Sequence, residues 1–312
     1  MRNRKFFVLS GEHPELASDE VVSISKSYDP QAEHESESRL LLVDSSAILE
    51  KVAGRATFVR TSGYIAGTFE GVPDTDLRVP RPDTFACRAL NLSSRALDTR
   101  ALERTAGSMF KKKWGSKVSL SNPSLILYLI LTDTKQHLGY AYPSPETKRP
   151  KKVLRFPHEL DWKLARCMVN LAGTREGQMV CDPFCGTGTI LLEAESMGMR
   201  TMGIDYDPRM CRISEKNLSS NGYESRIINS TYDYVRRIAE DVDAIVTDLP
   251  YGTASKSSSD PKMVIQDFLS VIPRKTKLVM MYKKGFGGAE LGNAKKYELF
   301  RHRSLTRVVV VR

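Results

Sequence analysis

The spacing of apolar residues changes along the chain, and the change comes near residue 158. Before that point, short apolar runs predict strands, and apolar residues three and four positions apart predict helices. This part is therefore predicted to be a small α/β unit with short elements. The predicted strands cover residues 5–10, 39–43, 56–60, 63–69, 83–90, 118–120, 124–132 and 137–141, and the predicted helices cover 15–28 and 99–110.

After residue 158, apolar strands alternate with amphipathic helices about every 20–25 residues. This alternation predicts a parallel, doubly wound sheet that ends in an antiparallel hairpin, formed by residues 296–300 and 307–311. Such sheets bind ligands where the carboxyl ends of their strands open. The predicted strands are 178–182, 201–205, 226–229, 244–248 and 277–282, and the predicted helices are 160–171, 189–197, 208–217, 234–240 and 261–271.

The composition is that of an ordinary globular protein, with 41% hydrophobic and 27% charged residues among 312. No apolar run reaches the ~18 residues of a membrane-spanning helix, and the run near the amino terminus is too short for a signal peptide. The five cysteines form no Cys-x-x-Cys pair. We therefore expect no bound metal and a reduced, cytoplasmic setting.

The net charge of +10 is unevenly distributed. Residues 100–160 contain 12 Lys and Arg against 4 Asp and Glu, whereas residues 10–50 contain 2 against 10. A basic middle segment favours a polyanionic partner such as nucleic acid, although an unevenly charged, solvated surface would have the same composition.

A glycine-containing segment, Val-Cys-Asp-Pro-Phe-Cys-Gly-Thr-Gly-Thr-Ile at 180–190, lies between a predicted strand and a predicted helix. Gly186 and Gly188 permit a tight turn and the close approach of a ligand. The segment lacks the third glycine of a dinucleotide-binding fingerprint and the Gly-Lys-Ser/Thr of a phosphate-binding loop. Asp182 would repel a pyrophosphate and suits a cationic ligand, and Asp205 ends the next strand, where a carboxylate binds ribose hydroxyls. This combination predicts S-adenosylmethionine, which has a sulfonium, an ammonium and no phosphate.

A second segment, Asp-Leu-Pro-Tyr-Gly at 248–252, follows the fourth strand of this sheet. The exocyclic amine of a base is a poor nucleophile, because its lone pair is delocalised into the ring. Asp248 and the carbonyl of Leu249 or Pro250 can accept its two hydrogens and direct the lone pair towards a methyl donor, while Pro250 fixes the turn. Tyr251 offers a flat face for a base taken out of its helix. The charge that develops on nitrogen is stabilised by Asp248, or its proton is taken there.

These two segments resemble the amino-methyltransferase superfamily, whose catalytic motif is Asp/Asn-Pro-Pro-Tyr; here Leu249 replaces the first proline. Only a backbone carbonyl is needed at that position. More closely, the chain resembles the archaeal tRNA guanosine-10 N2-methyltransferases that carry a THUMP domain. The shared segments lie over most of the length, at 85–88, 120–123, 160–166, 170–172 and 302–307. The likeness is more specific in the catalytic half.

The resemblance implies a class I Rossmann-like methyltransferase domain with a mostly parallel seven-stranded sheet, preceded by a ferredoxin-like piece and a THUMP domain. It implies methyl transfer to guanine N2 of tRNA at guanosine 10, and a heterodimer with a small zinc-binding activator subunit. The implied parts are a ferredoxin-like domain at 1–55, a THUMP domain at 56–141, a linker at 142–157 and the methyltransferase domain at 158–312.

The site residues fall into two further groups. The residues expected to bind the cofactor are Asp182, Pro183, Phe184, Gly186, Thr187, Gly188, Asp205, Tyr206, Ser230 and Phe156. The residues expected to contact RNA, mostly at its phosphates, are Arg88, Lys111, Lys112, Lys113, Arg149, Lys151, Lys152 and Arg155. Relatives have Gly-Asp-Ala where this chain has Asn229-Ser230-Thr231, so adenine recognition is expected to rest on a hydroxyl or backbone group.

Three alternatives stay open on the sequence: another tRNA guanine, adenine N6 in DNA or RNA, and a non-catalytic RNA-binding module. The loop chemistry serves guanine N2 and adenine N6 equally, and the THUMP-like half argues against DNA. The presence of Asp182, Asp205 and Asp248 together argues against a non-catalytic protein.

Overall fold

The chain forms two compact units, each with its own β-sheet. The computed structural model describes residues 3–71, 73, 79–143, 149–157, 159–249, 261–286, 291–302 and 305–312. The N-terminal unit comprises residues 3–54 and 58–143, and the C-terminal unit comprises residues 55–57 and those from 149 onwards. No helix within these described ranges is long and apolar enough to cross a membrane.

The N-terminal unit is built on one eight-stranded mixed sheet with three helices. Its elements are β1 (Asn3–Leu9), α1 (Pro14–Tyr28), β2 (Glu33–Glu37), β3 (Leu40–Ser45), α2 (Leu49–Arg55), β4 (Val59–Thr68), β5 (Thr84–Asn91), α3 (Thr99–Trp114), β6 (Lys117–Val118), β7 (Leu125–Leu131) and β8 (Gln136–Ala141). The order across the sheet is β2-β3-β1-β4-β8-β7-β5-β6. Strand β5 is parallel to β6 and β7, and the other pairs are antiparallel.

Strand β4 joins the two halves of this sheet, since it pairs with β1 on one side and β8 on the other. The prediction of two strands here, at 56–60 and 63–69, was wrong because Gly63 continues the strand opposite Phe6 instead of breaking it. A Cβ at Gly63 would lie 2.4 Å from the carbonyl oxygen of Tyr140 and 2.6 Å from Cε1 of Phe6. Strands from both sides of the expected boundary at residue 55 therefore belong to one continuous sheet. The division into ferredoxin-like and THUMP domains stays a prediction.

The C-terminal unit confirms the predicted methyltransferase-type fold, with a seven-stranded sheet in the order β11-β10-β9-β12-β13-β15-β14. Its first five strands are parallel, and β15 runs antiparallel to both β13 and β14, as the predicted final hairpin requires. The elements are α4 (Trp162–Leu171), β9 (Met179–Asp182), α5 (Thr189–Ser196), β10 (Arg200–Asp205), α6 (Pro208–Ser219), β11 (Arg226–Asn229), α7 (Val235–Ile238), β12 (Ala244–Asp248), α8 (Pro261–Val271), β13 (Lys277–Lys283), β14 (Lys295–His302) and β15 (Leu305–Val311).

Local sequence signals fix where the helices of this unit begin. The side chain of Asp161 accepts hydrogen bonds from the backbone of Lys163 and Leu164, so α4 begins at Trp162. Asp207 caps α6 in the same way, and Pro208 occupies the first helical position. Strands β9, β12 and β13 are apolar and buried on both faces, as central strands of a parallel sheet are.

Replacing Gly63 by alanine should destabilise the N-terminal unit. The added Cβ would collide with a backbone oxygen on β8, which cannot move without disturbing the sheet. We expect a loss of about 1–3 kcal/mol in the free energy of unfolding, measured by urea denaturation. The control is Gly11→Ala, because nothing lies within 4 Å of a Cβ at Gly11. Equal effects of the two substitutions would contradict the packing argument.

Candidate active site

The predicted site residues end three adjacent strands. Strands β10, β9 and β12 are parallel neighbours, and they end in Asp205, Asp182 and Asp248 respectively. Parallel pairing brings their carboxyl ends to one edge of the sheet, which is the ligand-binding edge of doubly wound folds. Three carboxylates therefore share the edge that the sequence indicated.

The glycine loop closes tightly between β9 and α5. Gly186 and Gly188 have φ values of +50° and +81°, a region that favours glycine. A Cβ at Gly188 would also lie 2.5 Å from Oγ of Ser214 on α6. The loop is thus held close to α6, and its backbone faces the carboxylates without side chains at these two positions.

Two of the carboxylates are fixed by hydrogen bonds. Oδ1 of Asp182 accepts from the hydroxyl of Thr247 at 2.6 Å and from the backbone N–H of Phe184 at 3.1 Å. Oδ2 of Asp205 accepts from the N–H of Gly186 at 2.9 Å, and Oδ1 accepts from that of Asp207 at 2.9 Å. Burial raises the pKa of Asp182 to about 7 and also raises the pKa of Asp205.

The third carboxylate is held differently. Oδ1 of Asp248 is buried and has no hydrogen-bond partner among the described residues. Oδ2 lies 3.9 Å from Nη1 of the buried Arg307 on β15. Burial raises the pKa of Asp248 to about 7, although Arg307 opposes this shift. A buried acceptor without a donor among the described residues is unusual in a folded protein.

A cavity of about 170 Å³ lies against this edge of the sheet. It brings Asp182 and Asp248 together with parts of the glycine loop and of the segment that leads into α4. Its lining consists of Phe156, Pro157, Glu159, Leu160, Asp182, Phe184, Cys185, Gly186, Thr187, Thr189, Ile190, Met210 and Asp248.

Five of the ten predicted cofactor residues line the cavity: Asp182, Phe184, Gly186, Thr187 and Phe156. The other five lie close by in the loop or at the ends of neighbouring strands. Pro183 and Gly188 are buried within the loop, and Asp205 is bonded to the cavity-lining Gly186. Tyr206 is 49% exposed next to Asp205, and the N–H of Ser230 donates to the carbonyl of Asp205 at 3.1 Å. The predicted catalytic residues Pro250 and Tyr251 lie outside the described residues.

The predicted RNA-contacting residues have different surroundings. Lys111, Lys112 and Lys113 are exposed in the last turn of α3, and Lys151 and Arg155 are exposed in the linker. The guanidinium of Arg149 lies over the ring of Trp162, 3.5 Å from its centroid. The guanidinium of Arg88 donates to the carbonyls of Leu120 and Cys87, at 2.9 and 3.2 Å.

Lys152 differs from the exposed lysines in its surroundings, and its contact with RNA stays a prediction. Its ammonium does not face solvent but donates to Oγ1 of Thr187 at 2.7 Å and to Oγ1 of Thr189 at 2.6 Å. It also pairs with Glu159 at 3.0 Å, and its side chain is only 11% exposed. The residues of the site that were not predicted include Glu159, Thr247 and Arg307, together with the cavity-lining Pro157, Leu160, Cys185, Thr189, Ile190 and Met210. Two of these had a signal in the sequence: Thr247 directly precedes Asp248, and Arg307 lies in the 302–307 segment of the family resemblance.

Comparison with known proteins identifies relatives over the full length. The family model described as RMKL-like, methyltransferase domain matches residues 149–284, and one described as DNA methylase matches residues 5–216. The chain is 33% identical to the tRNA (guanine(10)-N2)-dimethyltransferase of Methanothermobacter thermautotrophicus, over 97% of each chain. It is 25% identical to the enzyme of the same name from Methanocaldococcus jannaschii, over 98% of each. The crystal structure of TrmN from Thermus thermophilus has the same fold, with a TM-score of 0.57 over 99% of each chain at 19% identity.

Replacing Asp182 by asparagine should stabilise the protein in a pH-dependent way. Because burial raises the folded pKa to about 7 from 3.8, the folded state binds this proton more tightly than the unfolded chain does. Asp182 therefore does not lower the free energy of unfolding at pH values below its unfolded pKa. As pH rises above that value, the carboxyl lowers the free energy of unfolding increasingly, and the effect is largest above pH 7. Asparagine keeps an oxygen for Thr247 and Phe184. We expect a gain of about 2 kcal/mol at pH 8 and a smaller gain at pH 5, measured by urea unfolding. An equal gain at both pH values would contradict this origin.

Proposed function

Because this chain belongs to the family of the archaeal tRNA (guanine(10)-N2)-dimethyltransferases, we propose that it transfers methyl groups from S-adenosylmethionine to N2 of a tRNA guanine. The names of these full-length relatives favour guanosine 10 as the target and two successive transfers. The observation that carries the proposal is the buried, unbonded Oδ1 of Asp248 at the edge of the cavity.

The residues at this edge fit the cofactor. Asp205 is held by backbone N–H groups, which leaves lone pairs on both oxygens for ribose hydroxyls. Asp182 and Asp248 make the cavity electronegative, which suits a ligand that carries a sulfonium and an ammonium. The glycine loop permits close approach to the backbone at Gly186, where no atom of the described residues lies within 4 Å of a Cβ position. When bound, the cofactor supplies an activated methyl group.

Asp248 is the residue that we assign to the acceptor amine. Its free Oδ1 accepts one N–H of guanine N2, and a backbone carbonyl at Leu249 or Pro250 is assigned the other N–H. These two hydrogen bonds withdraw the amine hydrogens from the ring plane and free the nitrogen lone pair. After the transfer, the surplus proton on nitrogen passes to Oδ1 of Asp248. The stacking role of Tyr251 stays a prediction.

Arg307 adds a second feature of the same site. On β15, Arg307 pairs with Lys283 of the neighbouring strand β13. Two residues earlier on β13, Met281 pairs with Asp248 of β12, so β13 lies between the two charged residues. Burial raises the pKa of Asp248, and the guanidinium of Arg307 is the positive charge that opposes this rise. Since only the ionised carboxylate can take up the surplus proton from nitrogen and stabilise the charge that develops there, we assign Arg307 the role of keeping Asp248 ionised near neutral pH.

The alternatives have weaker support. The model described as DNA methylase matches residues 5–216 and so does not include Asp248, whereas the tRNA enzymes match nearly the whole chain. A non-catalytic RNA-binding protein would not need a buried acceptor beside the cavity. The cytoplasmic location and the heterodimer stay proposals. The zinc-binding activator subunit has no support among the described residues.

The decisive experiment is mass spectrometry of tRNA nucleosides after incubation of unmodified transcripts with labelled cofactor. We expect N2-methylguanosine and N2,N2-dimethylguanosine, and neither product from a transcript that carries adenosine at position 10. N6-methyladenosine as the product would establish the adenine alternative, and product from the position-10 variant would place the target at another guanine.

Replacing Asp248 by alanine should reduce the methylation rate by about 10³-fold, because the acceptor for the amine hydrogen is lost. Binding of S-adenosylhomocysteine should change little. The control is Asp241→Ala, which removes an exposed carboxylate before the same strand. If Asp248→Ala folds and retains full activity on tRNA, its catalytic role is wrong.

Replacing Arg307 by methionine should move the acid limb of the pH profile of kcat/KM to higher pH. The rate falls as pH drops through the pKa of Asp248, and loss of the guanidinium raises that pKa. Arg307→Lys keeps the charge and should move the limb less. Initial rates between about pH 5.5 and 9 measure the effect, and a limb unchanged in Arg307→Met would refute the assigned role.

A further inference from the structure

We propose that Lys152 is a positioning residue that braces the cofactor cavity by tying its two walls together, an inference that rests on the proposed function. One wall is formed by Phe156, Pro157, Glu159 and Leu160, which precede α4. The other is the glycine loop with the beginning of α5. Both walls belong to the C-terminal unit, and both line the same cavity.

The ammonium of Lys152 is bonded to both walls. It donates to the hydroxyls of Thr187 and Thr189, at 2.7 and 2.6 Å, and pairs with Oε2 of Glu159 at 3.0 Å. All three partners line the cavity, whereas Lys152 does not. A lysine ammonium has three N–H donors, and here three oxygens lie within bonding distance of it. The side chain therefore connects the walls from behind the cavity.

Glu159 extends this connection to the surface of the cavity. Its Oε1 accepts from the backbone N–H of Phe156 at 2.6 Å, while Oε2 pairs with Lys152. The side chains of Lys152 and Glu159 are only 11% and 17% exposed, so the pair is screened little by solvent. Without the ammonium, Glu159 would be an uncompensated carboxylate close to Asp182 and Asp248. Loss of Lys152 would thus disturb the wall that carries Phe156.

The neighbouring backbone is held independently. Oδ1 of the buried Asn217 on α6 accepts from the N–H groups of Val153 and Leu154, and its Nδ2 donates to the carbonyls of Leu154 and Thr187. Asn221 bonds both the N–H and the carbonyl of Lys151. These bonds keep the segment on α6 when the Lys152 side chain is changed. A substitution at Lys152 is therefore expected to remove the contacts of its ammonium without detaching the backbone of residues 151–154 from α6.

Adjacent lysines provide a matched pair for the experiment. Lys151 is exposed and is bonded through its backbone, whereas Lys152 is nearly buried and is bonded through its ammonium. Lys151→Met and Lys152→Met each remove one positive charge from adjacent positions. If the lysine charges act on RNA at long range, both variants should change KM for tRNA similarly. If Lys152 braces the cavity, only Lys152→Met should change the affinity for S-adenosylhomocysteine.

The measurement is calorimetric binding of S-adenosylhomocysteine to the full chain, together with steady-state methylation of tRNA. For Lys152→Met we expect about tenfold weaker binding, with kcat at saturating cofactor and KM for tRNA unchanged. Lys151→Met should bind S-adenosylhomocysteine like the wild type, and its effect as an expected RNA contact should fall on KM for tRNA. Glu159→Gln keeps an oxygen for Phe156 but removes the charge, and it should weaken binding in the same direction. The double variant Lys152→Met/Glu159→Gln should bind S-adenosylhomocysteine only slightly more weakly than Lys152→Met, because both substitutions remove the same ion pair.

Several results would overturn the inference. Equal affinity of wild type and Lys152→Met refutes the brace alone, and a raised KM for tRNA at unchanged affinity makes Lys152 an RNA contact. If Lys152→Met does not fold, the affinity of Glu159→Gln for S-adenosylhomocysteine provides the test, and an affinity equal to that of the wild type refutes the brace. A wild-type chain that does not bind S-adenosylhomocysteine would refute the proposed function, and this inference with it.

Discussion

The parallel pairing of β9, β10 and β12 is the constraint on which the site depends. Their register places the ends of the three strands at one edge of the sheet, so Asp182, Asp205 and Asp248 are close in space although far apart in sequence. The strands are buried on both faces, and a slip of one residue would turn the carboxylates into the apolar core. The packing of the core and the chemistry of the edge are therefore set by the same pairing.

Burying several carboxylates together is unfavourable, and the chain offsets this cost unevenly. Asp182 and Asp205 receive hydrogen bonds from the loop backbone and from Thr247, whereas Oδ1 of Asp248 receives none among the described residues. The guanidinium of Arg307 is near Asp248 but, at 3.9 Å, beyond hydrogen-bond distance. The edge therefore combines excess negative charge with an unused acceptor. A cationic cofactor meets the first need, and an amine that donates a hydrogen meets the second.

Most of the C-terminal unit could be predicted from sequence, because strand and helix periods alternate clearly and each strand end carries its own polar signal. The N-terminal unit was less predictable. Strand β2 (Glu-His-Glu-Ser-Glu) lies at the edge of the sheet with four of its five residues exposed, so no apolar period indicated it. Gly63 resembled a break because its role, to leave room for Phe6, depends on a partner strand far away in the sequence. Arg307 belongs to the 302–307 segment of the family resemblance, but only the tertiary structure places it beside Asp248.

The positive charges of the basic middle segment have two kinds of surroundings. Lys152 neutralises the partly buried Glu159, and Arg88 satisfies backbone carbonyls, so both have structural partners within the chain. Lys111–Lys113 stand in the last turn of α3, where positive charge also stabilises the helix dipole. Arg149 is stacked on Trp162, which fixes its plane but leaves guanidinium edges suited to a phosphate. Within this segment, the proposed contacts with RNA therefore rest on side chains whose charge is exposed, and a count of lysines and arginines cannot separate these from the rest.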